Sequence, residues 1–270
     1  STHSAEEETT ETALAASVRA MLPPILTGAE STDDPGSLYD VPAIVGREAW
    51  EALKSQISAW NSSNPKDGNN GGPRGWVSMM VDRWPPMILR RLKALPVKPM
   101  SGKDAANTKA MTMAIVLMRH LVALHTKKEP VREGLMEESK ALGIPQKVLA
   151  KLLESFSVAQ TTERPQRGGR SGGSSITYRI TNTLRDKLVL HILVLCLHTG
   201  PQFTVDLNEL VDFLRMPQSQ CRNLLRIVGA VIISAKDGAE TGADGIKPGG
   251  DGVLAQLKAP LKLQARVRRR

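Results

Sequence analysis

Aromatic side chains are scarce, with three Phe, two Tyr and four Trp in 270 residues. That leaves little material for the stacking platforms on which RRM- or OB-type proteins hold exposed bases, and favours duplex or protein partners over single strands. Cysteine is scarcer still. Cys196 and Cys221 lie among apolar neighbours in helical patterns, with no CxxC and no paired spacing. A reducing compartment without a disulfide framework is expected. The longest apolar run, LVLHILVLCL from Leu188 to Leu197, is too short to cross a bilayer and is interrupted by His191. No secretory signal is visible, and no membrane partner is expected.

Catalytic signatures are missing too. His120 and His125 are five residues apart and His191 and His198 seven, unlike the i, i+4 pair of HExxH, and no acid cluster lies beside them. They read as core or surface histidines. There is no GxxxxGK[ST] loop, and GADGIKPGGDG lacks the strand, loop and helix setting of a dinucleotide fingerprint. The expectation is a protein that is not an enzyme, with no cofactor, no metal and no small-molecule substrate.

What is present is charge, unevenly placed. The formal net charge is +9, yet residues 1–58 hold ten acidic and three basic side chains. An acidic leader therefore precedes a strongly basic body, which points to a polyanionic partner or else to a basic solvated surface. Residues 1–37, with EEETTETA and GAESTDDPG, are poor in large apolar groups and are expected to form a disordered acidic tail or linker. The start at Ser1 suggests a processed or truncated chain. From residue 38 to 103 the pattern is that of a helical linker. VGREAWEALKSQISAW places Trp50, Leu53, Ile57 and Trp60 at helical spacing, NSSNPKDGNNGGPRG is a turn-rich loop, and a helix resumes near Pro85.

An internal repeat follows. LGIPQKVLAKLLESFSV from Leu142 aligns without gaps on LRMPQSQCRNLLRIVGA from Leu214, with five identities in seventeen positions. The context repeats as well. A long apolar helix, about Ala105 to His125, precedes a short helix, Val131 to Leu142, and then the Pro145 helix. In the second copy Thr183 or Asn182 caps a helix from Leu184 to His198, and Asp206 with Glu209 forms a capping box for a short helix ending near Leu214. Each copy then has a strand, a glycine-rich loop and a strand: FSVAQ and SITYRIT in the first, AVIIS and VLAQL in the second. This order is that of a winged helix. The fold expected is mainly α with small β wings: a helical linker, a first winged helix over 104–181, a second over 182–263, and a basic tail over 264–270.

In the second Pro-initiated helix Cys221, Leu224, Leu225 and Val228 share the core face, leaving Ser219, Arg222, Asn223 and Arg226 outward. In a helix-turn-helix on DNA that outward face enters the major groove; as a protein-binding module it is simply solvated. The first copy offers Lys147 and Lys151 at corresponding positions, point charges suited to phosphate. Arg164, Arg167 and Arg170 crowd the first wing loop and Lys236 starts the second. After a β-like APLKLQ stretch, the tail RVRRR, with Arg266 and Arg268, reads as a phosphate-binding arm, a nuclear-import signal or a solubilising tail.

The succession DKLVLHILVLCLH, LRMPQSQCRNLLRIVGAVI and LKAPLKL, with LPPILTGAESTDDPGSLYDVPAIVGREAWEAL upstream, resembles the A-forty-nine subunit family of RNA polymerase I, called PAF-fifty-three in animals. The resemblance runs from about Leu22 to the C-terminus. It implies a tandem winged helix similar to that of the general factor TFIIE, in a non-catalytic subunit of the nucleotidyltransferase complex. Such a subunit binds duplex DNA with little sequence preference beside the polymerase clamp and cleft. It supports initiation and elongation on ribosomal DNA, in the nucleus and nucleolus. Its partners would be DNA, polymerase I core subunits and initiation factors. The family's N-terminal dimerisation module has no counterpart in these residues. The rival reading keeps the fold as a protein-docking scaffold in a nuclear complex without direct DNA contact.

Overall fold

The computed structural model describes residues 16–63, 80, 82–96, 101–132, 134–163, 174–234 and 252–263. These residues are mainly helical with two small antiparallel sheets. The chain divides into two compact units, one of residues 45–189 and one of residues 1–44 with 190–270.

The first of these contains α1 (Gly46–Ser63), α2 (Pro86–Ala94), α3 (Gly102–Thr126), β1 (Val131–Arg132), α4 (Leu135–Leu142), α5 (Gln146–Phe156), β2 (Val158–Glu163) and β3 (Ser174–Arg179). Ser101 opens α3 as its N-cap, accepting from the Asp104 amide at 3.1 Å. From Thr112 to Leu124 the helix is apolar nearly all round, and Ile115, Leu117, Met118, Leu121 and Leu124 are buried, so α3 is the axis of this core. The strands pair in the order β1-β3-β2. The short helix expected from Val131 starts later, because Val131 is extended and pairs with Tyr178, leaving the helix to begin after Gly134.

In the second unit the same order recurs. It runs through α6 (Asn182–His198), within which the unit boundary falls, β4 (Thr204–Asp206), α7 (Leu207–Leu214), α8 (Gln218–Ile227), β5 (Ala230–Ser234) and β6 (Val253–Leu257). The sheet order is β4-β6-β5, the counterpart of the first. Thr181 caps α6 in place of Asn182 or Thr183, its Oγ1 accepting from the Leu184 amide at 3.3 Å. Asp206 does cap α7, accepting from the amides of Asn208 at 2.7 Å and Glu209 at 3.2 Å. In α8, Cys221, Leu224 and Leu225 are buried, as is Val228 at its end. Full burial of one such leucine contributes about 2 kcal/mol.

Both repeats turn from their second helix into their third in the same way. Gly143 closes α4 in the left-handed conformation, at φ 62°, and the aligned Arg215 closes α7 at φ 53°. Pro145 and Pro217 then lead α5 and α8 with extended ψ values of 138° and 140°.

Two expectations are revised. The described part of the presumed tail, residues 16–37, packs: Leu22 and Ala29 are buried, and Ile25 bridges to Tyr39. Tyr39 is itself 2% exposed, and its hydroxyl donates to the Val228 carbonyl at 3.0 Å. The β-like APLKLQ stretch is not a strand over its described residues, 259–263. Pro260 has no N–H for a ladder, and the Leu261 amide donates instead to the Ala29 carbonyl at 2.9 Å.

Candidate nucleic-acid interface

The outward side of α8 follows from its helical spacing, since burying Cys221, Leu224, Leu225 and Val228 turns the alternate positions to solvent. Ser219, Asn223 and Arg226 are exposed, as are Gln218 and Gln220. Arg222 is half-buried, and its Nε is covered without a hydrogen-bond partner, so it projects less freely than its spacing implied. No acidic residue occurs in α8. Arg215 is exposed at the left-handed turn just ahead of the helix. Sequence patterning passed over it because it falls between helices, although its alignment with Gly143 marks it as the turn position.

The aligned face of the first repeat is built differently. Lys147 is exposed, while Lys151 is half-buried and holds Glu154 at 2.8 Å. Lys147, Ala150, Lys151 and Glu154 line a depression of about 470 Å³ whose opposite wall is Val45 to Ala49, the beginning of α1. Arg47 and Glu48 enter the same depression, which is therefore of mixed charge. Helix α1 packs on α5. Its buried face is Ala49, Leu53 and Ile57, with Trp50 and Trp60 only half-buried, a shift from the stripe expected.

Further along α1, Gln56 fixes the helix to the turn of the repeat. Its Nε2 donates to the Gly143 carbonyl at 3.2 Å, and its Oε1 lies 3.0 Å from His120 Nε2. Arg119 donates to the carbonyls of Leu142 at 2.5 Å and Gly143 at 3.2 Å and lies over the Trp84 ring at 5.4 Å. His120 is fully buried, and burial, with Arg119 beside it, pushes its imidazole well below the usual range. It is a neutral, hydrogen-bonded core histidine.

Arg164, Arg167 and Arg170 of the first wing loop, Lys236 of the second, and Arg266 and Arg268 of the tail lie outside the described residues. Among the described residues no group of His, Cys, Asp and Glu is placed to hold a metal ion, and no helix is long and apolar enough to cross a membrane. Cys196 and Cys221 are both buried, and neither is in a disulfide.

No curated protein matches the chain. A family model described as A49-like RNA polymerase I associated factor matches residues 1–264.

Proposed function

The chain belongs to the A49-like RNA polymerase I associated factor family, and we propose that it is a non-catalytic polymerase I subunit whose two repeats are winged helices and whose second repeat holds duplex DNA. Family membership supports the association with polymerase I and a place in the nucleus and nucleolus. The DNA reading is supported by one observation above the others: the outward face of α8 exposes Ser219, Asn223 and Arg226, with Arg215 at its head, and that helix contains no carboxylate. In a helix-turn-helix the third helix is the one that meets the groove. Hydroxyl, amide and guanidinium groups on it suit phosphate and groove edges alike, and the half-covered Arg222 limits base reading to few positions. The duplex is held near the polymerase cleft with little sequence preference, in support of initiation and elongation on rRNA genes.

Titration of the full chain against fluorescent duplexes of unrelated sequence tests this. With four to six phosphates neutralised, log K falls against log salt with a slope of roughly −4 to −5, and affinities agree across sequences within about threefold. Absent or salt-insensitive binding overturns the reading. If polymerase association survives in that case, the repeats act as a protein scaffold.

A further inference from the structure

We propose that the two repeats are functionally unequal: the third helix of the first repeat is closed to DNA by helix α1 of its own unit, so that only α8 is free to enter a groove. This rests on the DNA reading above and assigns it to one helix. At the offset of the internal alignment, Lys147 corresponds to Ser219, Ala150 to Arg222, Lys151 to Asn223 and Glu154 to Arg226. The four residues in α8 are the outward face of that helix. Their four counterparts in α5 are the residues that face the start of α1 across the 470 Å³ depression. Lys147, Ala150 and Glu154 remain exposed to water, but Val45, Gly46, Arg47, Glu48 and Ala49 line the same depression and stand where the wall of a groove would have to pass.

Geometry makes the wall decisive. A major groove about 12 Å wide accommodates one helix of about 10–12 Å diameter including side chains, and leaves no room for a second helix packed alongside. The wall is also fixed in place. Ala49, Leu53 and Ile57 bury one face of α1, and Gln56 ties it to Gly143 and His120. The sequence of α5 is adapted to this cover. Val148 is fully buried, whereas the aligned Gln220 of α8 is exposed. A valine there needs an apolar neighbour that α8 does not require. Charge agrees with position: Lys151 is engaged by the exposed Glu154, whereas α8 has Asn223 and Arg226 at these places and no carboxylate.

The test compares three full-length proteins in a duplex titration across a salt series: wild type, Arg226→Glu, and the double variant Lys147→Glu/Lys151→Glu. Arg226 and Lys147 are exposed and Lys151 is half-buried, and circular dichroism checks that each variant remains folded. Arg226→Glu is expected to lower affinity about tenfold and the salt slope by about 1, while the lysine pair changes affinity less than about threefold and leaves the slope intact. A photo-crosslinking side chain placed at position 226 or at the aligned position 154 gives a second readout independent of affinity, with duplex captured from 226 alone. Comparable losses from both variants, or capture from 154, overturn the inequality of the repeats and leave DNA binding standing. No loss from either variant together with no capture at either position overturns DNA binding itself, and the inference with it.

Discussion

Lowering the pH from 7 to 5 should destabilise the unit containing His198 by about 2 kcal/mol. Burial holds this imidazole down at about 4 against an ordinary 6.5, with the Asp34 carboxylate pulling weakly upward. The ring stands edge-on to Tyr39 at 6.3 Å and to Phe203 at 5.8 Å, and its Nε2 is covered without a hydrogen-bond partner among the described residues. An imidazolium there would surrender water and gain little. A base whose pKa is depressed on folding binds fewer protons in the native state than in the unfolded one between pH 4 and 6.5. Stability therefore rises with pH through that window and is lost as pH falls through it. At 1.36 kcal/mol per unit, the whole window is worth about 3 kcal/mol, and the part above pH 5 about 2 kcal/mol. Asp34, whose pKa is lowered by hydrogen bonds from Ser37 and Gly36, loses its contribution only below 3.8, outside the window.

The assay must distinguish the units. Trp50, Trp60, Trp76 and Trp84 all belong to residues 45–189, so tryptophan fluorescence follows the wrong one. Native-state hydrogen exchange of α8 amides, at pH 7 and pH 5 after correction for intrinsic rates, follows the right one. The control is His198→Phe, which keeps an aromatic ring against Tyr39 and Phe203 but cannot titrate. Equal losses of protection in wild type and variant would refute the assignment of the effect to His198.

Three further perturbations carry definite expectations. Tyr39→Phe removes the donor to a buried Val228 carbonyl and should cost about 1–2 kcal/mol, read from the exchange protection of α8. Gly200→Ala would drive a Cβ into the Thr204 carbonyl oxygen, a backbone atom that must move, so a loss of about 2 kcal/mol is expected in thermal denaturation. Asp206→Ala strips the α7 cap at a cost of about 1 kcal/mol, whereas Asp206→Asn should retain most of it; urea midpoints followed by circular dichroism separate the two.

Elements with local causes were readable in the sequence. Pro145 and Pro217 mark the starts of α5 and α8, Asp206 marks α7, and β5 and β6 coincide with AVIIS and VLAQL because each has enough residues to show strand character. Strands β1 and β4, of two and three residues, are too short for any alternation, and they exist through pairing with β3 and β6 far along the chain. Leu22, Ala29 and Tyr39 were hidden for a different reason. They lie in short stretches without helix or strand periodicity, MLPPIL, LTGAE and GSLYD, so no pattern announces their burial. At the interface, spacing identified the outward residues of α8, and it identified those of α5 equally well. That the latter face α1 is a tertiary fact, whose one trace in the sequence is Val148 where the repeat has Gln220.

The bond from Tyr39 to Val228 joins residues 189 positions apart, and the Leu261 amide reaches back to Ala29. On a ribosome this sets an order. Residues 45–189 form a compact unit drawn from one continuous stretch, whereas the other unit joins residues 1–44 to residues 190–270. Ala29 and Tyr39, which come earlier in the chain, can make these bonds only once residues 261 and 228 have left the exit tunnel. The segment around Ala29 and Tyr39 thus completes its bonds late, and a chaperone would meet it for that interval.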